Sequence, residues 1–474
     1  MAYPLIVYAL VPLAAYGFIK YIRVLRLRGP PSPSFVFGHT KEILEARSPA
    51  VLYDRWAQEY GSVFQVQGPL GTTRLVTGPG NLLVALGDWH ARKVQRKILN
   101  PLFSPAAIKT YASSMYDSAY KYRRFDTIGL AAFSTDFKSL DGVKSPVSTA
   151  LTALGHSKPR LPLLPILFQL PLPRSVLVTE LSNAMDEVID KLIKAADSGE
   201  AENLDSALGV LVRAKELSPF QVRIPMQLAD LWIKAKSILL AGFSTTASMC
   251  HSDSLTSWAL VELSMHPEKQ KRLRAELSAF STADPLYDDL NSPSLPYLDA
   301  VVREALRLHP ILAESPRIVP STAPRPLEDD VLPLATPIRT PSGALIDSVP
   351  VRKGTVLTAS LNWTNLSKSV WGEDAAEFKP ERWLNGEEGI PASAKEYPGY
   401  HHTMIFSDGP RTCLGKGFAL TEMKVVLSLL IRKFVFSPRD GMDTKYEKAM
   451  FLGPHPKVAD EPGGRLPMRV RRVE

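Results

Sequence analysis

Cysteine is almost missing from this chain of 474 residues, which has only Cys250 and Cys413. Two cysteines exclude a disulfide-stabilised scaffold and favour a reducing compartment. Basic residues outnumber acidic ones by eight, and the sequence pI is about 9.2. No basic run interleaved with aromatic residues is present, so we expect no nucleic-acid partner. A solvated basic surface and a docking face for an acidic partner or an anionic membrane both fit this charge.

Charge is also missing from residues 2–19, AYPLIVYALVPLAAYGFI. These eighteen uncharged, mostly apolar residues reach the lower end of the roughly 17–25 that a transmembrane helix needs. The basic residues that follow place that side in the cytosol; they are Lys20, Arg23, Arg26 and Arg28. Because no charge precedes the run and no small-residue cleavage site ends it, the pattern favours an uncleaved anchor over a signal peptide.

On this basis the chain divides into three parts. Residues 1–28 form a transmembrane anchor with its basic flank, and residues 29–34, GPPSPS, form a stiff proline-rich hinge. Residues 35–474 form a single globular domain. Residues 158–173 of this domain are apolar and broken by prolines, which predicts an exposed loop near a membrane.

Hydrophobic patterns within the globular part predict its fold class. Helices are predicted at 88–124, 226–247, 296–309 and 414–433. Pro310 ends the third helix, and apolar residues on almost all sides mark the second as buried. Strands are predicted at SVFQVQ and TTRLVT, joined by a turn at Pro69–Gly71, and within GALIDSVPVRKGTVLTAS. The predicted fold is therefore mainly α with a minor β-sheet region, of the α+β class.

The segment MIFSDGPRTCLGKGFALTEMK carries the second cysteine. Cys413 precedes a helix expected to begin near Leu414, and the unpaired N–H groups at a helix start stabilise a thiolate. Gly409 and Gly415 permit a tight turn and the close approach of a flat ligand. Arg411 offers a planar fork for carboxylates. Together a buried thiolate, room for a planar group and a carboxylate clamp indicate a haem pocket with an axial sulfur ligand.

Two other interpretations of Cys413 fit the same residues. A lone cysteine is most often an inert buried side chain. His401 and His402 lie close to it in sequence, and they permit a cysteine–histidine nucleophile.

Five residues reproduce the signature FxxGxRxCxG, by which the chain resembles the cytochrome P-450 family: Phe406, Gly409, Arg411, Cys413 and Gly415. At average residue frequencies this pattern arises by chance in well under about one chain in a thousand. The resemblance implies that Cys413 is the axial ligand of the iron of haem b. It implies that Arg411 pairs with a haem propionate and that Phe406 packs beside the sulfur. Further haem contacts are implied at Gly415, His90 and Arg96.

Two further motifs stand in the order that the family has them. EALR contains Glu304 and Arg307, which are spaced so that they face the same way on one helix. FKPERW contains Arg382, and the resemblance implies that it joins the pair in a buried charge network behind the haem. The role of this network is structural, and losing one partner of a buried pair costs roughly 3–5 kcal/mol.

The segment AGFSTT lies inside the helix predicted as buried. A glycine within a helix costs about 1 kcal/mol relative to alanine, so Gly242 serves either close packing or a functional space. The resemblance implies that Gly242 leaves room for dioxygen over the iron and that Thr245 donates a hydrogen bond to it. The family usually has an acid before this threonine, where this chain has Ser244. Proton delivery then needs a chain of water molecules or another donor.

The sequence is similar to membrane-bound fungal members of the family. The resemblance implies a haem-thiolate monooxygenase that uses dioxygen to hydroxylate or epoxidise a hydrophobic small molecule. Electrons would come from NADPH through a membrane-bound reductase, with cytochrome b5 as another donor. The protein would lie in the endoplasmic reticulum membrane with its catalytic domain in the cytosol. Basic residues would meet the acidic surface of the reductase. The candidates for this docking face are Arg96, Lys97, Lys416 and Lys424.

Several segments depart from the family's pattern. A strand joins a helix almost directly within 80–90, and two segments meet at 124–126 as if a stretch were missing. Extra residues occur in HARKVQRK and around Cys250, and a long loop leaves Arg317 and Arg325 as rival propionate contacts. The alternatives are a haem-binding but catalytically impaired paralogue, a chain translated across shifted exon boundaries, and a haem-thiolate peroxygenase or isomerase that needs no reductase.

Overall fold

The computed structural model describes sixteen stretches of the chain. They are residues 27–46, 49–69, 72–78, 96, 100–121, 146–147, 149–150, 173–197, 255–280, 283–312, 314–318, 330–351, 355–409, 412–450, 454–461 and 466–473. The predicted membrane-spanning run, the helix at 226–247, the loop at 158–173 up to Pro173 and the joins at 80–90 and 124–126 lie outside the described residues. Within the described stretches, no helix has both the length and the apolar character that crossing a membrane requires.

The described residues form two compact units, and the first takes those within 1–44, 51–87 and 316–359. Its elements, wholly or mainly in these ranges, are α1 (Thr40–Glu45), α2 (Pro49–Tyr60), β1 (Val63–Gln67), β2 (Thr73–Thr77), β3 (Glu314–Ile318), β4 (Asp330–Arg339), β5 (Leu345–Val351) and β6 (Val356–Ser360). The sheet has the strand order β1–β2–β6–β3, with β2 parallel to β6, while β4 and β5 form a separate antiparallel ribbon.

The hairpin predicted from SVFQVQ and TTRLVT is confirmed. β1 and β2 pair antiparallel, with Val63 opposite Thr77 and Gln67 opposite Thr73. β-branched and aromatic residues favour strands, and the apolar residues of both strands are buried here. They contribute to a small apolar core formed by Leu27, Val63, Leu75, Leu332, Ile338, Val349, Val351 and Leu357.

The second unit takes the described residues within 45–50, 88–315 and 360–474. Its longer helices are α3 (Pro105–Lys121), α4 (Pro173–Asp197), α5 (Leu255–Met265), α6 (Pro267–Leu277), α8 (Pro296–Leu308) and α12 (Lys416–Lys433). Short helices are α7 (Tyr287–Leu290), α9 (Leu361–Leu366), α10 (Lys368–Trp371) and α11 (Ala392–Lys395). Its strands form two antiparallel pairs, β7 (Phe434–Pro438) with β10 (Met468–Arg472) and β8 (Tyr446–Met450) with β9 (Pro454–Val458). Helices therefore predominate and sheets are minor, as the predicted class requires.

Two helices of the second unit, α8 and α12, carry the site. A proline in the first turn starts α8, and the helix stops at Leu308 before Pro310, as predicted. Most positions of α12 are buried, which fits its nearly continuous apolar sequence. At Gly417 a Cβ would lie only 2.8 Å from Ile108 Cδ1, so this glycine allows α12 to pack closely against α3.

The single helical stretch predicted at 88–124 is wrong in its described part. The chain forms a 3-10 turn over Asn100–Phe103 before α3 begins at Pro105. Prolines at positions 101 and 105 have no N–H to continue an α-helix. Ser104 separates the two elements, and its hydroxyl accepts a hydrogen bond from the N–H of Ala107 at 3.3 Å.

Candidate functional site

The loop between Phe406 and α12 holds Cys413 by its backbone. The N–H of Cys413 donates to the carbonyl oxygen of Phe406 at 2.6 Å, and the N–H of Thr412 donates to that of Gly409 at 3.2 Å. Gly409 has φ of +58°, so the tight turn predicted at this glycine is present. The helix begins at Lys416 rather than near Leu414, with residue 415 as its N-cap.

Cys413 as a residue is exposed. Desolvation still raises the pKa of its thiol above the usual range. A hydrogen bond from the Gly415 N–H and the charges of Arg96 and Lys416 act in the opposite direction.

The surroundings of Cys413 suit a cysteine that binds a haem iron. A single sulfur with a backbone N–H directed at it is the donor arrangement of a haem-thiolate site. The raised pKa is compatible with this, because a metal ion deprotonates a coordinating thiol outright. Gly415 has φ of −83°, and a Cβ there would meet only Phe103, at an ordinary 3.8 Å. Protein packing therefore does not require a glycine at this position. That Gly415 permits the close approach of a flat ligand stays a prediction.

Two other predicted haem contacts lie at this loop. Arg96 donates from Nη1 to the carbonyl oxygen of Thr412 at 2.5 Å. Phe406 is buried and packs edge-on against Tyr400, with ring centroids 5.5 Å apart. Lys416 places its ammonium 5.6 Å from the centre of the same tyrosine ring. The structure thus gathers an arginine, a lysine and an aromatic ring around the backbone that holds the cysteine.

Several predicted contacts cannot be placed. Those outside the described residues are His90, Lys97, Gly242, Ser244, Thr245, Arg325 and Arg411, together with Cys250. Arg317 belongs to β3, but its side chain is not described. The roles that the sequence assigns to these residues stay predictions.

The structure brings Glu304, Arg307 and Arg382 together into what we call the Glu304 network. Arg307 donates to both carboxylate oxygens of Glu304, from Nε at 2.9 Å and from Nη2 at 2.8 Å. Arg382 donates from Nε to Oε1 at 3.1 Å. Glu304 and Arg307 are 0% exposed and Arg382 is 2% exposed. Desolvation acts most strongly to raise the pKa of Glu304, but the two guanidinium groups together lower it, so the carboxylate is ionised.

Sequence reasoning missed three members of this network. The N–H of Lys379 donates to Glu304 Oε1 at 3.0 Å, and Trp383 Nε1 donates to Oε2 at 2.9 Å. Asp374 accepts from Nη1 of Arg382 at 3.1 Å. Arg307 completes its bonding on backbone carbonyl oxygens of residues 365 and 375, at 2.7 and 2.6 Å. Only the tryptophan beside Arg382 in FKPERW was a signal in the sequence.

Two expectations about basic residues are corrected here. His401 and His402 hydrogen-bond to the two oxygens of Glu387, at 2.8 and 3.1 Å, rather than to the sulfur of Cys413. This does not support a cysteine–histidine nucleophile. Lys424 is 7% exposed and bonds to Asp299 at 2.7 Å. It is therefore a buried ion-pair partner and not part of a docking face.

Comparison with known proteins gives a consistent result. The family model described as Cytochrome P450 matches residues 109–323 and 329–459. The chain is 38% identical to "Cytochrome P450 monooxygenase claP" of Ampulloclitocybe clavipes, over 95% of this chain and 94% of the relative. It is 36% identical to "Cytochrome P450 monooxygenase claW" of the same fungus, over 97% and 96%. "Cytochrome P450 monooxygenase 205" of Postia placenta is 33% identical over 86% of this chain and 85% of its own.

The alignment lengths bear on the departures noted in the sequence. The alignment with the first of these relatives runs over 526 positions, although this chain has 474 residues. The relative therefore has residues with no counterpart here.

Proposed function

The chain belongs to the cytochrome P450 family, and we propose that it is a membrane-anchored member that hydroxylates or epoxidises a hydrophobic small molecule with electrons from an NADPH-dependent reductase. Its curated relatives are monooxygenases, and membership makes the chain an oxidoreductase that uses haem and incorporates oxygen. The observation that carries the proposal is the setting of Cys413, an exposed residue whose own N–H is held by Phe406 and whose sulfur receives the N–H of Gly415.

The residues around Cys413 have separable tasks in this reaction. Haem held by a thiolate supplies dioxygen activation, because the sulfur donates electron density that favours O–O cleavage. Cys413 would hold the iron as a thiolate, and the Gly415 N–H directed at the sulfur would orient it. The bond from the Cys413 N–H to Phe406 fixes the backbone behind it. The Glu304 network has a structural task, because it joins helix α8 to residues 379–383.

The remaining tasks fall to residues that only the sequence identifies. We assign the haem propionates to Arg411, with Arg96 and His90 as further partners. Thr245 would supply a proton from its hydroxyl, and Gly242, which has no side chain, would leave room for dioxygen. Because position 244 is a serine, the proton would reach Thr245 from a chain of water molecules or from another donor rather than from a neighbouring acid.

The location and the electron donor belong to the same proposal. Residues 1–28 would anchor the protein in the endoplasmic reticulum membrane with its catalytic part in the cytosol, where membrane lipid, the reductase and cytochrome b5 are accessible. The uncharged run with basic residues after it supports this. Fractionation of cells that express the full chain should place it in microsomes, and carbonate washing should not release it.

The first experiment is the absorbance spectrum of the reduced protein exposed to carbon monoxide. Thiolate-ligated iron shifts the Soret band far to the red of imidazole-ligated iron. We expect this band in the wild type and in Cys250→Ala, which is the control, and its loss in Cys413→Ala. Protein without haem, or with the band in the imidazole-like position, would contradict the proposal. With the reductase and NADPH present, a screen of apolar substrates then tests for oxygenated product.

One other function is favoured by a specific observation. The alignment with the relative claP is longer than this chain, so the relative has segments that this chain lacks. This fits a haem-binding but catalytically impaired paralogue or a chain translated across shifted exon boundaries. Haem content without any NADPH-dependent product would support it. Turnover with peroxide but not with NADPH would instead indicate a peroxygenase, for which Ser244 is the relevant departure.

A further inference from the structure

A second charge network lies on helix α8 beside the Glu304 network. We call it the Arg303 network, and its members are Asp299, Arg303, Glu387, His401, His402 and Lys424. Arg303 donates from Nη2 to Asp299 at 2.5 Å, one helical turn earlier. The motifs of the sequence do not include this network, and the Glu304 network does not use its residues.

The downstream end of the Cys413 loop is attached to this network through Lys424. This lysine lies on α12, eleven residues after the cysteine. Its ammonium bonds to Asp299 at 2.7 Å and to the carbonyl oxygen of Leu290 at 2.8 Å. Because Lys424 is buried, these bonds are shielded from water and fix the position of α12 relative to α8.

The upstream end of the loop is attached through two histidines. His401 and His402 lie twelve and eleven residues before Cys413. Glu387 bonds to both of them, one with each carboxylate oxygen. Arg303 Nη1 lies 3.1 Å from His401 Nδ1 and 4.0 Å from Glu387 Oε1. Because Nδ1 of His401 carries the proton that bonds to Glu387, it does not also accept from Arg303. The arginine reaches the upstream end through its ion pair with Glu387 and the downstream end through Asp299, which bonds to Lys424.

The backbone at the upstream end is held in an unfavourable conformation. Glu387, His401 and His402 have φ values of +73°, +46° and +60°. Side chains other than glycine rarely adopt this region, and such strain persists only where the surroundings over-determine it. The two-oxygen bridge from Glu387 supplies that constraint.

The strained segment leads directly to the cysteine. The turn that follows Gly399 closes with a hydrogen bond from the N–H of Thr403 to the carbonyl oxygen of Tyr400 at 3.1 Å. Tyr400 packs against His401, with centroids 4.4 Å apart, and against Phe406. The carbonyl oxygen of Phe406 then receives the N–H of Cys413.

The charges of the network support this arrangement. Although desolvation acts most strongly to raise the pKa of Glu387, hydrogen bonds from the two histidines lower it below its usual value. Burial lowers the pKa of His401, and the nearby Arg303 adds to this. Two carboxylates therefore face two permanent cations around a largely neutral histidine. Within the described residues, no three histidine, cysteine or acidic side chains are arranged to hold a metal ion.

We infer that the Arg303 network holds the Cys413 loop at both ends, which makes Glu387 and Arg303 positioning residues for the axial sulfur ligand. Neither residue touches the sulfur, and both act through the segments that flank it. The functional meaning of this inference rests on the proposed role of Cys413 as the iron ligand, whereas the attachment of the loop does not.

The test compares two carboxylates in the full-length protein. Glu387→Gln removes the charge of a side chain that is 28% exposed. The control, Glu381→Gln, removes that of a side chain that is 35% exposed and bonds to Arg272 and Tyr297 instead. The readout is the rate at which the reduced, carbon monoxide-bound protein loses its red-shifted band in dilute urea. We expect Glu387→Gln to raise this rate roughly tenfold, the lower end of what residues behind metal ligands produce, and the control to stay within about twofold of wild type.

A combination of variants separates positioning from a general loss of stability. His401→Ala with His402→Ala should speed the loss of the band as Glu387→Gln does. Adding Glu387→Gln to that pair should change the rate no further, because all three act through the same contacts. Equal rates for Glu387→Gln and Glu381→Gln, or a full addition of the effects, would overturn the inference.

Failure of the proposed function is distinguishable from failure of this inference. If the wild-type protein binds no haem, the proposed function fails. The same variants are then compared, in a Cys250→Ala background, by the rate at which iodoacetamide alkylates Cys413. Faster alkylation in Glu387→Gln than in Glu381→Gln would support the attachment of the loop, and equal rates would refute it.

Discussion

Helix α8 carries two charge networks that differ in their access to water. In the Glu304 network, Glu304 and Arg307 are 0% exposed. In the Arg303 network, Arg303 and Asp299 are 19% and 22% exposed, and Glu387 is 28% exposed. Arg303 and Glu304 are adjacent residues of α8. The difference in exposure therefore arises from what packs over each face of the helix and not from the helix itself. One helix can therefore carry a network closed to water on one face and a network partly open to water on another.

The difference in hydrogen bonding follows from the difference in burial. Glu304 accepts five hydrogen bonds, two from Arg307 and one each from Lys379, Arg382 and Trp383. A carboxylate away from water is stable only when its oxygens are satisfied in this way. Glu387 has two histidine partners and remains partly accessible, so water supplies what the protein does not. Losing one partner should therefore have unequal consequences in the two networks.

The largest expected effect is that of Glu304→Gln. The amide keeps the shape but removes the charge that Arg307 and Arg382 face, and it turns one acceptor into a donor. Loss of a partner from a buried pair costs about 3–5 kcal/mol, so we expect the free energy of unfolding to fall by that amount. Urea unfolding measures it, and Glu387→Gln is the control from the other network. If the two variants lose the same stability, the contrast between the networks is wrong.

A smaller loss is expected for Trp383→Phe. The variant removes the N–H that donates to Glu304, and a hydrogen bond to a charged group contributes about 1.5–3 kcal/mol. Trp371→Phe is the control, because Trp371 is also buried and its Nε1 has no hydrogen-bond partner among the described residues. The phenylalanine keeps an aromatic face toward Arg307, whose Cζ lies 5.0 Å from the centre of the Trp371 ring. Both variants lose the same volume, so the difference in their thermal midpoints reports the hydrogen bond. Equal midpoints would mean that this bond contributes nothing.

Asp299→Asn tests the partly exposed network in the same way. Arg303 and Lys424 would both lose their carboxylate partner, and Lys424 is buried. We expect a loss of about 1–2 kcal/mol, between the values typical of exposed and of buried pairs. Lys424→Met should cost less, because it removes the buried charge and leaves Asp299 bonded to Arg303. A larger loss in Lys424→Met, measured by urea unfolding, would contradict this.

Sequence patterns predicted the regular parts of these networks and little of the rest. The spacing of Glu304 and Arg307 was enough to place them on one face, because helix geometry repeats. The ends of α8 and α12 were predicted to within two residues, since prolines and apolar runs mark them. Arg382 was identified only through the resemblance to a family. No local rule connects a residue of one segment with a helix more than seventy residues away.

The partners that sequence reasoning missed depend on irregular backbone. Trp383 and Lys379 reach Glu304 because the chain around Pro380 forms a short 3-10 turn at that place. Glu387 bonds to His401 and His402, and all three residues have positive φ. Residues other than glycine rarely do so, and nothing in their identity signals it. His401 and His402 were instead considered as partners of Cys413, which is nearer in sequence than Glu387.

Lys448 offers the mildest test of the comparison, because it is a half-buried cation that belongs to neither network. Its ammonium donates to the carbonyl oxygen of Leu308, at the end of α8, and no described carboxylate lies within ion-pair distance of it. Burial lowers its pKa to about 8, although Glu262 acts to raise it. The unfolded chain, with the ordinary lysine pKa of about 10.4, then binds more protons between these two values, so wild-type stability should rise as the pH rises through that interval.

Lys448→Met should lack this rise and be at least as stable as wild type at pH 7, because the cost of burying an unpaired charge is gone. Urea midpoints of both proteins from pH 7 to 10 measure the difference, in which other titrating groups cancel. Parallel pH profiles of the two proteins would mean that Lys448 keeps the ordinary lysine pKa in the folded state.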